Sequence, residues 1–375
     1  MIFKRRALEA RFFVAFFIVS ITLFFMDNVI STQVDYNKAF TMALFGQRYE
    51  EYLRGAIPTI ISLAEQKDQD FIVDVAVDRD DAARGVIALF KEHAPLINLT
   101  NERLSFTDLP KDVDNKQAAY IRFNKYLSGQ GSGNIRILFP ADFDDVLEPF
   151  YTRKMSSTVD AGAPVAIANQ ISFPIGDKDW RHGKSIQVPR FPRGYKFDFE
   201  QILDFNMAGF CNTALDLKSK FFTAQSCDVL LKGTNKQLDR SFFAQAFAHG
   251  ADGVLSGADL GYGQGNGFYG QDSTTLESEI NMQVQMTRLL KELDGLSGGA
   301  YELIHKRSDI DEGIMRIYES GGAAYQTYKM IVDEEYEELT RAGFHRQWGE
   351  QVVPKSEQFI RDSIPYHFIN QMHFA

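Results

Sequence analysis

Tryptophan and cysteine are scarce in this 375-residue chain, which contains two of each. Two cysteines are too few for a disulfide-rich scaffold or a cysteine-based metal cluster. The seven histidines are dispersed, and neither an H-E-x-x-H helix nor a G-x-S-x-G elbow occurs. These absences predict no metal site and no cofactor, and they leave no strong catalytic motif.

Basic residues are in the minority as well, with 40 Lys and Arg against 50 Asp and Glu and a net charge of −10. A chain of this sign repels the phosphate backbone, so the sequence predicts no nucleic-acid partner. The composition is 45% hydrophobic and 24% charged, which is typical of a packed globular protein. Phenylalanine is plentiful, at 32 residues, and favours an aromatic-rich core.

Long hydrophobic runs are absent except at residues 12–26, FFVAFFIVSITLFFM. The preceding 11 residues carry a charge of about +3 and the remainder about −13. With its apolar flanks, the run is long enough for a span of about 20 residues. It predicts a cytoplasmic flank at 1–11, a signal-anchor in the lipid bilayer at 12–31, and an exported domain, periplasmic in a bacterium. A cleaved signal peptide and a buried helix are the alternatives.

The rest of the chain predicts an α/β or α+β exported domain preceded by that single N-terminal transmembrane helix. Apolar spacing favours a helical stalk at 32–67, and the β-branched segment 71–77 favours a strand. A helix capped by Asp80 or Asp81 follows, to about His93. Further strands are expected at 135–139 and 165–173. The predicted divisions are a first α/β subdomain at 68–176, a loop boundary at 177–200, and a second, helix-rich subdomain at 201–375.

The two cysteines, Cys211 and Cys227, lie 16 positions apart in the part predicted to be exported. In an oxidising compartment such a pair favours a disulfide, which would stabilise the fold by about 3 kcal/mol in the chain-entropy model. The alternative is a pair of buried free thiols.

A glycine-rich segment at 257–270, GADLGYGQGNGFYG, follows a predicted short strand at 253–255 and precedes a predicted helix to Leu293. A strand, glycine-rich loop and helix in this order favour anion binding by backbone N–H groups. No Lys follows in the nucleotide-loop pattern. The alternative is a turn whose Tyr262, Phe268 and Tyr269 contact a partner.

Residues 248–257, AHGADGVLSG, resemble a stretch of the iron–sulfur delta subunits of methyl-viologen-reducing hydrogenases. In that family, a string of cysteines carries the cluster. No Cys follows this segment here, so the resemblance implies no iron–sulfur centre for this chain.

Two side-chain groups are candidates for binding or catalysis. Cationic and aromatic residues of the 180–196 loop favour an anionic or sugar ligand by charge pairing and stacking; alternatively, they pair with the protein's own carboxylates. These residues are Trp180, Arg181, His182, Lys184, Arg190, Arg193 and Tyr195. An acidic group, Asp142, Asp144, Asp145 and Glu148, follows a strand but fits no Ca²⁺-loop spacing, which favours a solvated turn.

Catalytic residues stay unassigned, with His249, Asp252 and Asp259 as weak candidates near the glycine-rich segment. The leading hypothesis is a membrane-anchored, non-enzymatic structural or assembly component of an envelope complex, with other membrane or envelope proteins as partners. The alternatives are an anchored extracytoplasmic hydrolase and a solute- or glycan-binding module.

Overall fold

The computed structural model describes part of the chain. The described residues are 36–46, 53, 56–94, 103–129, 134–143, 145–174, 184–185, 193–204, 208–233, 238–264, 276–296 and 298–320. The predicted anchor at 12–31 and its basic flank lie outside these residues. None of the helices found among the described residues combines the length and apolarity needed to cross a membrane. The anchor therefore stays a prediction.

One mixed sheet organises residues 37–320 of the described chain. Its strands are β1 (Lys38–Leu44), β2 (Phe71–Val77), β3 (Leu104–Asp108), β4 (Ile137–Pro140), β5 (Asp145–Leu147), β6 (Val165–Pro174), β7 (Lys184–Ser185), β8 (Lys196–Phe197), β9 (Thr213–Asp216) and β10 (Gly253–Gln264). The main strand order is β3-β2-β1-β4-β9-β6-β10-β5, with β7 paired to β6 and β8 to β10. The predicted α/β character is confirmed.

Helices cover both faces of this sheet. They are α1 (Ile57–Ala64), α2 (Asp80–His93), α3 (Asn115–Leu127), α4 (Tyr151–Asp160), α5 (Phe199–Asp204), α6 (Asp228–Lys232), α7 (Leu238–Ala248), α8 (Leu276–Lys291) and α9 (Gly298–Ser320). A short 3-10 turn at Ala224–Cys227 precedes α6. Asp80 and Asp81 lie in the first turn of α2, where negative charge complements the helix dipole.

Parallel pairing explains the apolar character of the central strands. β2 is parallel to β1 and β3, and β1 is parallel to β4. All seven residues of β2 are buried, because helices lie on both sides of a parallel sheet. β9 runs antiparallel between β4 and β6, whereas β10 runs parallel to β6.

The two sheet faces have separate packing partners. On one face, side chains of α1, α2 and α4 such as Ile60, Phe90 and Met155 form a core with Phe40 and Phe139. On the other face, α3 and α7 meet through aromatic rings. Phe123 of α3 lies 5.0 Å from Phe242 of α7 between ring centroids. Both faces of the central strands are therefore covered by helices.

The helical stalk predicted at 32–67 does not match the structure over β1. Residues 38–44, KAFTMAL, form the strand between β2 and β4, and every side chain but one is buried. Ala, Met and Leu favour helix in isolation, but pairing with two neighbours overrides this weak preference. Only Ile57–Ala64 of that segment is a regular described helix. Strands from both predicted subdomains also share the one sheet.

Candidate functional site

The strand order reverses beside β1, which makes the carboxyl ends of β1 and β4 the geometric centre of the sheet edge. From β1 the chain moves outward to β2 and β3, then returns across β1 to β4. In open α/β sheets, ligands bind in the crevice outside the carboxyl ends of strands at such a switch point. The residues that follow β1, β2 and β4 are therefore the first candidates for function.

Asp142 lies just beyond the carboxyl end of β4, in this crevice. Asp142 is an exposed residue. Desolvation by the surrounding protein nevertheless raises the pKa of its carboxyl, and the charge of Arg122 opposes this shift. An acidic residue whose pKa is perturbed in a cleft is a candidate for a functional site. Asp145, by contrast, is fully buried and accepts a hydrogen bond from the backbone N–H of Asp142. Asp144 lies outside the described residues.

Arg122 of α3 supports the crevice from beneath. The residue is buried, and its Nη2 donates to the carbonyl oxygens of Thr41 at 2.6 Å and Ala141 at 3.3 Å. The guanidinium thus joins β1 to the residue before Asp142. Burial lowers the pKa of Arg122, whereas the carboxylates of Asp142 and Asp74 oppose that shift. A buried cation beside Asp142 favours the ionised carboxylate.

Asp78 closes the other side of the crevice, directly after β2. It accepts hydrogen bonds from the backbone N–H of Gly46 at 3.0 Å and from Arg79 Nε at 2.9 Å. Arg79 Nη2 also donates to the carbonyl oxygen of Gly46. Burial alone would raise the pKa of Asp78, but these hydrogen bonds lower it. The ends of β1 and β2 are therefore held together by a charged clip.

A second carboxylate, Asp239, lies at the start of α7 on the same edge of the sheet. Gly209 belongs to the segment that leads into β9. A Cβ added to Gly209 would lie 3.2 Å from Asp239 Oδ2, so the Asp239 carboxylate packs against this segment. Its Oδ1 accepts from the backbone N–H of Arg240. In the sequence, Asp239 is visible only as an acidic residue that can start a helix. The distance between Asp239 and Asp142 in space depends on β9 lying next to β4. Local sequence patterns do not predict this strand order.

Cys211 lies between these carboxylates and is not bonded to Cys227. Both thiols are free and buried, so the predicted disulfide is wrong. Cys211 accepts a hydrogen bond from Gln170 Nε2 at 3.2 Å, whereas Cys227 ends the 3-10 turn before α6. Burial raises the pKa of both thiols, to about 12 for Cys227, and Asp145, Asp142 and Asp239 add to the rise at Cys211.

The weak catalytic candidates are not brought together. His249 is exposed at the end of α7, where its ring nitrogens bond the carbonyl oxygens of Gln245 and Asp294. Asp252 precedes β10 at the amino edge of the sheet. Asp259 lies six residues along β10, towards the carboxyl edge. Gly253 pairs with Val165 and Asp259 with Asn169, so Asp259 lies four β6 residues, or about 13 Å, along the sheet from the start of β10 that follows His249.

The cationic and aromatic candidates are only partly described. Arg193 is exposed in a turn that leads into β8, and Tyr195 Oη accepts from Gln201 Nε2 at 2.6 Å. Lys184 belongs to β7, which pairs with β6. Tyr262 lies on β10, opposite Ser172 of β6. The other residues of this prediction lie outside the described part: Trp180, Arg181, His182, Arg190, Phe268 and Tyr269.

The glycine-rich segment predicted as a loop is largely strand where it is described. Residues 257–264 continue β10, which pairs with β6 and, through residues 260–262, with β5. Residues 265–270 lie outside the described part. The glycines and alanine of residues 257–264 are compatible with a strand that has neighbouring strands, β6 and β5, on both sides. The segment therefore brings 259–262 next to the acidic group at 145–148.

No set of three or more His, Cys, Asp or Glu side chains in the described part of the chain is placed to hold a metal ion. Of the three described aspartates that follow β2 and β4, Asp142 is the exposed one, whereas Asp78 is half-buried and Asp145 is buried. Mg²⁺-type cations are held by one or two carboxylates together with substrate phosphates, rather than by an all-protein cage. The residues present therefore fit a cation that arrives with a phosphorylated ligand.

Comparison with known proteins finds no family model and no curated protein that matches the sequence. Among solved structures, the 1–349 portion of S. aureus TarS in complex with UDP is 11% identical, with a TM-score of 0.47 over 74% of this chain and 71% of that chain. The mannosyltransferase PcManGT from Pyrobaculum calidifontis, in complex with GDP-Man and Mn²⁺, is 9% identical, with a TM-score of 0.44 over 76% of each chain.

This comparison contradicts the predicted role as a structural or assembly component of an envelope complex, because the similar structures include a mannosyltransferase. The correction concerns the structural role; the membrane anchor at 12–31 stays a prediction. At TM-scores below 0.5 these likenesses assign no activity to this chain, whose chemistry follows from its own residues.

Proposed function

We propose that this chain is a glycosyltransferase that uses a nucleoside-diphosphate sugar and a divalent cation. The observation that carries the proposal is the position of Asp142, an exposed acidic residue at the switch point, with Asp239 beyond it on the same edge. A switch-point crevice favours a nucleotide. A carboxylate there, rather than a lysine, favours a phosphate group that is bridged by a cation.

The described residues divide into structural, binding and catalytic roles. Asp78, held by Gly46 and Arg79, has the structural role of fixing the ends of β1 and β2 at the side of the crevice. Asp142 would hold the cation, and Arg122 keeps β1 and β4 in place behind it. When bound, the cation supplies positive charge that stabilises the departing diphosphate.

Asp239 is the candidate general base. An acceptor hydroxyl oxygen forms a bond to the anomeric carbon of the donor sugar, and the bond from that carbon to the diphosphate oxygen breaks. The electron pair leaves with the diphosphate, and the hydroxyl proton passes to the Asp239 carboxylate. Positioned general bases of this kind contribute about 10²–10⁴-fold in rate. Asp239 is bonded through Oδ1 to its own helix, which orients the carboxylate.

The test is release of nucleoside diphosphate from UDP-glucose, UDP-N-acetylglucosamine and GDP-mannose by the full chain with MnCl₂. The proposal expects cation-dependent release from at least one donor. Asp239→Asn preserves the acceptor for the Arg240 N–H and is expected to lower release by about 10²-fold or more while donor binding persists. Asp108→Asn, an exposed acid at the end of β3, is the matched control. Absence of cation-dependent binding and release with all donors would refute the proposal.

A further inference from the structure

We propose that Asn169 of β6 and Asp259 of β10 form a subsite that binds hydroxyl groups of the acceptor. This inference rests on the proposed glycosyl transfer, and it assigns the acceptor to hydroxyl-rich molecules such as saccharides and polyols. The two side chains are directly bonded, since Asn169 Nδ2 donates to Asp259 Oδ1 at 3.1 Å. Both are half-buried.

A bulge in β10 brings Asp259 to this position. Leu255 pairs with Ile167, but Asp259, rather than Gly257, pairs with Asn169. The bulge is stabilised by the buried Ser256, whose hydroxyl donates to the carbonyl oxygen of Ile167 at 2.9 Å and accepts from the Ala258 N–H. Bulges re-aim side chains and are frequent beside active sites.

Among the described residues, the Asp259 carboxylate has one hydrogen-bond donor, Asn169, which it contacts through Oδ1. Its backbone is held to Glu148 through both the N–H and the carbonyl group, and those contacts do not involve the carboxylate. Glu148 is in turn paired with Lys154 at 2.6 Å. Within the described part of the chain, Asp259 Oδ2 accepts no hydrogen bond, and it is the oxygen that the proposal assigns to a ligand hydroxyl.

The pair lies within β6 and β10, on the sheet face that α7 covers. Ala258 and Leu260 belong to the core on the α1, α2 and α4 face, so alternation places Asp259 on the α7 face. Ile167 lies two residues before Asn169, so both side chains are on the same face of β6. A Cβ built on Gly253 would contact both Ile167 and Phe247 of α7, which shows that this is the α7 face. Asp239 begins that helix at the carboxyl edge.

Strand register gives the spacing. Leu138 of β4 is aligned with Leu215 of β9, and Leu215 with Val165 of β6, so Asp142 and Asn169 lie at the same height. With strands about 4.8 Å apart, Asn169 is about 10 Å and Asp259 about 14 Å across the sheet from Asp142. Asp239 lies over the intervening β9 entrance. The order along the edge is therefore cation ligand, base and hydroxyl-binding pair.

The chemistry of the pair fits neutral hydroxyl groups. A carboxylate accepts hydrogen bonds from two hydroxyls, and an amide oxygen accepts a third. Charged acceptors of hydrogen bonds are the stronger ones, so Asp259 is expected to supply most of the affinity. An anionic group would be repelled by Asp259, Glu148 and Asp239.

Saturation-transfer NMR on the full chain tests this subsite, with methyl α-D-mannopyranoside, methyl β-D-glucopyranoside and glycerol as probes. Wild type is expected to transfer saturation to at least one probe. Asp259→Ala and Asn169→Ala are expected to weaken that binding by about tenfold or more. Asp160→Ala, an exposed acid at the end of α4, should leave it unchanged. Asp259→Asn, which keeps the side-chain shape, serves if the alanine variant does not fold.

Binding of UDP and GDP with Mn²⁺ is measured on the same variants, which separates this inference from the proposed function. Retained nucleotide binding with lost probe binding in the Asp259 variants supports the subsite. The subsite is overturned if wild type transfers saturation to none of the probes, or if the Asp259 variants match wild type. Loss of nucleotide binding in wild type would instead remove the proposed function.

Discussion

The guanidinium of Arg122 donates a 2.6 Å hydrogen bond to the carbonyl oxygen of Thr41 from within the protein core. The same Nη2 reaches the carbonyl of Ala141, the residue before Asp142. One buried cation thus ties together the two strands whose ends form the switch-point crevice. The stability of the sheet and the geometry of the candidate site therefore depend on the same side chain.

Replacement of this guanidinium is expected to destabilise the protein strongly. Arg122→Met removes a donor from the carbonyl oxygens of Thr41 and Ala141, although Thr41 keeps the Ala141 N–H. It also removes the buried cation beside Asp142 and Asp74, so the free energy of unfolding should fall by about 3–5 kcal/mol. Urea denaturation followed by circular dichroism measures it. The matched control is Arg136→Met, which removes a partly exposed partner of Asp160 and Asp216 and should cost about 0–1 kcal/mol. Equal losses in both variants would contradict the role given to Arg122.

The bulge of β10 predicts a specific glycine effect. Gly257 has a φ of +73°, and a Cβ there would lie 3.2–3.4 Å from three side-chain carbons of Arg193. Gly257→Ala is expected to lower the free energy of unfolding by about 1–2 kcal/mol, since a left-handed conformation disfavours any Cβ. Gly298→Ala, with open space around the added methyl and no positive φ, is the control and should change it by about 0.5 kcal/mol or less. A Gly257→Ala variant as stable as that control would argue against the bulge.

The two thiols are expected to be reduced in protein prepared without reductant. Intact mass spectrometry after unfolding and alkylation should show both Cys211 and Cys227 modified, because each is a buried free thiol in the structure. In the folded protein, burial should make alkylation slow. If instead neither thiol is alkylated and the mass is two hydrogen atoms below that of the reduced chain, the disulfide prediction would be correct.

Cys227 also gives a pH prediction. Burial raises the pKa of its thiol to about 12, above that of an unfolded cysteine. The folded state therefore binds more protons than the unfolded state from about pH 9 to 12, and stability falls as pH rises through that window. Its contribution to the slope is at most about 1.4 kcal/mol per pH unit. Denaturation of Cys227→Ala from pH 8 upward should show a shallower decline than wild type, and identical slopes would count against the burial.

Local patterns predicted the elements in which local chemistry and burial agree. The segment 71–77 is β-branched, and it forms β2 at those bounds. Likewise, the acidic start and the following proline predicted a helix that ends at His93. The strand at 165–173 is confirmed with one residue added. These elements needed no knowledge of their neighbours.

The site was harder to predict because its residues are brought together by strand order. The acidic residues after β4 were visible in the sequence. The same residues are compatible with a solvated turn or with a switch-point crevice, so the sequence alone does not distinguish the two. Asp239 and Asp142 are nearly 100 positions apart, and only the insertion of β9 between β4 and β6 aligns them. Asn169 carries no signal of its own within an apolar strand.

The most direct test of the account is calorimetric titration of the full chain with UDP and GDP, with and without Mn²⁺. At least one nucleotide should bind in a cation-dependent manner, and Asp142→Asn should weaken that binding by about tenfold or more, since the lost carboxylate is a ligand of the cation. Asp108→Asn should bind as wild type does. Failure of both nucleotides to bind wild type, or equal affinity in wild type and Asp142→Asn, would contradict the assignment of the switch-point crevice as a nucleotide site.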